Sequence, residues 1–117
     1  MSAPKTGASV PIHHVCTDKN CISTANGGPW TPRFKRFFDG AGLDIRTSLY
    51  NKIAVPGHKG QHPPEYHKYV YKLLDTETQG LSPSTPEYRR AVVNVLVRIK
   101  VEATTPGSKV NGWLIGG

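Results

Sequence analysis

Three stretches of the chain repeat their apolar positions at helical spacing. Phe34, Phe37 and Phe38 fall at i, i+3 and i+4 behind Thr31, an N-cap type, and Pro32, suited to a first turn. This leaves Arg33, Lys35 and Arg36 on other faces of the predicted helix, which Gly40 and Gly42 close. Pro63-Pro64 opens a second helix with Tyr66, Tyr69, Val70, Leu73 and Leu74 in register. Pro86 opens a third, with Tyr88, Val92, Val95, Leu96 and Ile99 as its apolar stripe. Two short segments read as strands: residues 10–15, an apolar run holding a histidine pair, and residues 51–55, which alternate polar and apolar and stop at Pro56-Gly57. Residues 16–29 and 80–85 are loops. Residues 104–117 are glycine-rich around an isolated Trp113-Leu114-Ile115, a docking strand or a disordered end. There is no internal repeat.

Two strands followed by a helix, with further helices beside them, make an α+β domain over residues 10–103. Residues 1–9 form a flexible lead-in and residues 104–117 a tail whose role the pattern does not assign. A chain of 117 residues is too short for a second independent core. Gly 12 and Pro 10 together approach a fifth of it, which describes a loop-rich globular protein and excludes a coiled coil. No run reaches the roughly 18 to 20 apolar residues a bilayer span needs, so no membrane partner is expected. The N-terminus lacks the apolar stretch of a secretory signal. If the protein leaves its cell, it is therefore expected to need a larger carrier or a dedicated machine.

Charge narrows the partner. Lys+Arg 15 against Asp+Glu 8 gives +7 with neutral histidines, which suits a polyanion, nucleic acid first. Cys16 and Cys21 alone make no disulfide framework, and a four-ligand zinc site would need histidines as well.

The histidines carry the candidate chemistry. All five fall in two groups, His13-His14 and His58, His62, His67. Imidazole is the commonest side-chain ligand of first-row metals and a general base near neutral pH. Neighbours on a strand point to opposite faces, but where the strand bends or ends one ring can face a metal and the next the substrate. The second group sits at a strand-to-helix junction. Strand, strand, then a helix with ligands at its start is the order of a one-metal ββα nuclease finger. His67, five residues past His62, is as well placed for packing or substrate contact as for ligation.

The string IHHVCTDKN, followed about 35 residues later by NKIAVPGHKGQHPPEYHKYV, resembles the AHH family of the HNH/endonuclease VII nuclease superfamily, which supplies toxin domains of bacterial polymorphic toxin systems. Ile12 stands where the family has a small residue, a position expected to tune packing more than chemistry. The resemblance implies that His13 is a metal ligand and His14 the base that activates water. It further implies that Asn51 helps orient that base, and that His58 and His62 complete the metal site, with His67 a further possible ligand. It implies a metal-dependent, largely sequence-nonspecific DNA endonuclease, acting as an antibacterial toxin in the target-cell cytoplasm and neutralised by a cognate immunity protein. The +7 charge suggests that this protein is acidic. One divalent ion, Zn, Mg, Mn or Ni, would serve. Lys59, Arg33 and Arg36 are candidates to hold flanking phosphates, and Trp30 and Tyr66 either stack on bases or serve the core. The same scaffold can act on RNA. A different class of protein, a zinc-stabilised nucleic-acid-binding module, would close the histidines, with or without Cys16 and Cys21, into a structural site.

Overall fold

A computed structural model describes residues 12–56 and 62–115. Strands β1 (Ile12–His14) and β2 (Lys52–Ala54) pair antiparallel, with Ile12 opposite Ala54, His13 opposite Ile53 and His14 opposite Lys52. Helix α1 (Trp30–Ala41) lies between them in the chain. Helices α2 (Pro64–Thr78), α3 (Pro86–Ala103) and α4 (Lys109–Leu114) follow, and two 3-10 turns cover Ala25–Gly27 and Leu49–Asn51. The architecture is α+β, helix-rich, with one small sheet. Among the described residues no helix is long and apolar enough to cross a membrane.

The prolines place α2 and α3 where the pattern puts them. Fixed φ and a missing N–H cost nothing in a first turn, and on α3 the Thr85 hydroxyl accepts from Tyr88 N. The stripe of α3, from Tyr88 to Ile99, is buried and packs against α1, α2 and α4. Phe34, Phe37 and Phe38 of α1 and Val70 and Leu74 of α2 complete the core around it.

Three local expectations are corrected. Helix α1 begins at Trp30 and Thr31 does not cap it. Its first N–H groups are taken from outside: Asn20 Oδ1 accepts from Trp30 N at 3.1 Å and Asn20 O from Thr31 N at 2.9 Å. Gly40 lies inside the helix, because Tyr88 of α3 packs where a side chain would stand; a Cβ there would meet the ring at 2.6 Å. Gly42 alone ends it, at φ 70°. Residues 109–114 form α4 and neither a strand nor a disordered end. Ser108 caps it by accepting from Asn111 N, and Val110 and Leu114 are buried in the common core.

Candidate functional site

Strand β1 ends at His14 because Asn51 takes over from the ladder. Its backbone oxygen accepts from Val15 N at 2.8 Å. Its side-chain oxygen accepts from Cys16 N at 2.7 Å, and its amide donates to Cys16 O at 3.0 Å and Ile45 O at 2.7 Å. The chain after His14 is thus tied to the entry of β2, while the Tyr66 hydroxyl donates to Val15 O and ties it to α2. Both histidines of the pair, at the end of the strand, line one cavity of about 530 Å³. His62, at the foot of α2, and His67, one turn into it, line the same cavity, with Asp18 and Trp30. Residues 13 and 14 and residues 62 and 67 therefore line the same cavity.

The hydrogen bonds of His14 fix its tautomer. Nε2 lies 3.0 Å from Arg46 O, and a carbonyl only accepts, so Nε2 carries the proton and the neutral ring keeps its lone pair on Nδ1. Nδ1 lies 3.5 Å from Asp18 Oδ1. Arg46 O is held in place by a turn that Asp44 organises: Asp44 Oδ1 accepts from Arg46 N at 2.8 Å and from Thr47 N at 3.1 Å. Those backbone bonds, Arg46 first, hold the Asp44 carboxyl below its ordinary pKa.

His13 Nε2 is sealed from solvent, and His62 is half-buried with its ring centroid 4.6 Å from Tyr66 and 5.6 Å from His67. His67 is 7 % exposed and stacks on Trp30 at 5.5 Å. Burial lowers its pKa to about 4, and its buried Nδ1 has no hydrogen-bond partner among the described residues. This is a packed, neutral ring. His58 and Lys59 lie outside the described residues. Among the described residues, no group of three His, Cys, Asp or Glu side chains is placed to hold a metal ion. The donors present still fit part of such a site: two imidazoles, His13 and His62, on one cavity are nitrogen donors of the kind a first-row divalent ion takes. Cys16 is buried in the core, where desolvation pushes its thiol well up, and Cys21 is exposed. A thiol kept neutral by burial is a poor metal ligand.

Other expected site residues are placed less directly. Asn51 is fully buried and does not line the cavity; its hydrogen bonds hold the end of β1. Arg33 stands beside the cavity, its guanidinium 5.6 Å from the Trp30 ring centroid. Arg36 is turned away: it donates to the Tyr71 hydroxyl at 2.9 Å, lies over Phe37 and approaches Asp75 at 4.0 Å. Trp30 (4 % exposed) and Tyr66 (1 %) are core residues and offer no open face to a base. Ile12 is 62 % exposed and lines the cavity, so the position bears on the cavity and not on core packing.

Sequence reading missed Asp18 and Asn20. Both lie in the string IHHVCTDKN, whose resemblance assigns roles only to its histidines. Asn20 belongs to a clasp in which Thr31 Oγ1 accepts from Asn20 N at 2.9 Å and donates to Thr17 O at 2.8 Å, locking the cavity wall to the start of α1. The one available signal was a helix start whose own preceding residue, Pro29, has no side-chain cap to give.

A protein-family model described as a nuclease family of the HNH/ENDO VII superfamily with conserved AHH matches residues 1–85. No curated protein and no solved structure matches the chain.

Proposed function

Because the matched stretch covers well over half of its length, the chain belongs to the AHH nuclease family of the HNH/ENDO VII superfamily, and from this we propose that it is a metal-dependent endonuclease that hydrolyses phosphodiesters with His14 as general base. The observation that carries the reading is the ring of His14. Its Nε2–H is anchored on Arg46 O, its Nδ1 stands beside Asp18, and it shares a cavity with His13 and His62. A neutral imidazole held this way has one lone pair, on Nδ1, to offer a water, and the Asp18 carboxylate beside that nitrogen would stabilise the ring once it has taken the proton. His13 and His62, with His58, are the residues that would hold one divalent ion. Bound there, the ion would neutralise charge building on the phosphate oxygens. Asn51 and Tyr66 hold the strand end from which His13 and His14 project.

The substrate of a nuclease is nucleic acid, and we read it here as DNA cut with little regard to sequence. The family resemblance supports a role as an antibacterial toxin domain, delivered by a secretion apparatus. The +7 charge supports an acidic immunity protein as its neutralising partner.

The test incubates the purified protein with plasmid and with total RNA, with and without chelator, beside His14→Ala. The expected result is plasmid cleavage that chelator and His14→Ala each abolish, while His14→Ala still binds the metal by calorimetry. Loss of metal binding in His14→Ala overturns the role assigned to it. Unfolding on chelation without any cleavage by the untreated protein favours a closed structural metal site instead.

A further inference from the structure

The cations of this protein are not used alike. Lys35 is paired with Asp39 at 2.8 Å and Arg98 with Glu102 at 3.4 Å; Arg89 and Lys100 donate to Ala41 O and Leu49 O, and Arg36 is taken up by Tyr71 and Asp75. Lys52, Lys72, Arg90 and Lys109 are in no ion pair among the described residues, and what sets four further cations apart is their place around the cavity. Lys19 lines it, and Arg33 lies over Trp30, which forms part of its wall. Lys68 Cε is 3.8 Å from where a Cβ on Gly27 would stand, a point that is itself 3.1 Å from the Trp30 ring. Arg46 carries the carbonyl that anchors His14. All four residues are exposed, and among the described residues none of their side chains lies within ion-pair distance of a carboxylate, although the Arg46 charge is felt by the nearby Asp44 carboxyl. The cavity lining itself holds one carboxylate, Asp18, which faces His14.

We propose that Lys19, Arg33, Arg46 and Lys68 form the track that seats the sugar–phosphate backbone of a nucleic acid across the cavity, an inference that rests on the nuclease reading above. Unpaired exposed cations keep their hydration and counterions until a polyanion displaces them, and that release drives binding. The two aromatic rings best placed to stack on a base, Trp30 and His67, are buried in the wall, so contact falls to the phosphates, which carry no sequence. The track also separates two arginines one turn apart: Arg33 belongs to it and Arg36, committed to Tyr71 and Asp75, does not.

The experiment measures binding by the full-length His14→Ala protein to fluorescein-labelled duplex DNA of two unrelated sequences. Anisotropy is followed between about 50 and 200 mM salt. Placing Lys19→Ala, Arg33→Ala, Arg46→Ala or Lys68→Ala on that background should lower the slope of log Kd against log salt by about 1 each, equally for both sequences. Arg36→Ala should leave the slope in place, and so should Arg90→Ala, which removes an exposed cation on α3, a helix that contributes no residue to the cavity lining. Unchanged slopes in the four variants overturn the track, as does an equal drop in Arg90→Ala or an effect confined to one sequence. If the parent binds and the untreated protein cleaves while the slopes stay fixed, only the track fails. If the parent binds neither DNA nor RNA and the untreated protein does not cleave, the nuclease reading fails with it.

Discussion

A histidine packed against an indole gives up a proton that the same ring would keep in water. At His67 burial brings the pKa from 6.5 to about 4. Between those values the unfolded chain binds a proton that the folded one does not, so stability contributed by the neutral ring is complete above about pH 6.5 and is lost as pH falls toward 4. In chelator-treated protein the thermal midpoint should therefore drop across that window. His67→Phe, which keeps a ring among Trp30, Phe34 and Tyr66, should flatten the drop by up to about 1.4 kcal/mol per pH unit. A pH profile identical to the parent's would show that His67 is not buried neutral. Asn51 makes the same point about buried polar groups in another way. Asn51→Ala strips partners from Cys16 N, Cys16 O and Ile45 O in the interior, and urea denaturation should show a loss of about 3 kcal/mol. The sequence marks both positions as polar. It does not say which polar side chain is enclosed, because enclosure comes from Trp30 in one case and from the 45–51 turn in the other.

At the level of elements, helices that carry their own start signals were legible and those that borrow them were not. Pro63-Pro64 and Thr85-Pro86 contain the geometry of a first turn within themselves, and α2 and α3 begin there. Helix α1 has its N–H groups capped by Asn20, ten residues earlier, so local reading assigned the cap to Thr31. Helix α4 has a local cap in Ser108, but Gly112 and a span of six residues hide its period. Gly40 shows how one helix shapes another. Alanine gains up to about 1 kcal/mol over glycine by propensity in a helix interior and less in a last turn such as this one, while here its Cβ would meet the Tyr88 ring at 2.6 Å, and overpacking costs about 1–3 kcal/mol. Gly40→Ala should therefore be net destabilising, by about 1 kcal/mol. In combination with Tyr88→Leu the same change should turn neutral or stabilising, since the obstructing ring is gone. Additive effects in that double-mutant cycle would mean that α1 and α3 do not meet at this point.

For the molecule as a whole, the candidate site and the material that stabilises it occupy different parts of the chain. Every histidine, with Asp18 and Asn51, falls within residues 1–85, the stretch shared with the family. The faces of α1 and α2 that hold those residues apart from solvent rest on α3, and α3 in turn packs against α4, where Asn111 donates to Ala103 O at 2.7 Å and Trp113 meets Tyr69 edge-on at 5.8 Å. Burying Val110 and Leu114 is worth about 2 kcal/mol each, a large share of the roughly 5–15 kcal/mol by which a domain is stable. A chain ended after Thr105 should accordingly fold with a stability lower by about 4 kcal/mol, read from its urea midpoint, and should cleave at low temperature. A chain ended after Thr85 keeps all the chemistry and loses the buried stripe from Tyr88 to Ile99. It should show no cooperative unfolding transition and no cleavage, because His13 and His62 are brought to one cavity by a core that the shorter chain cannot close.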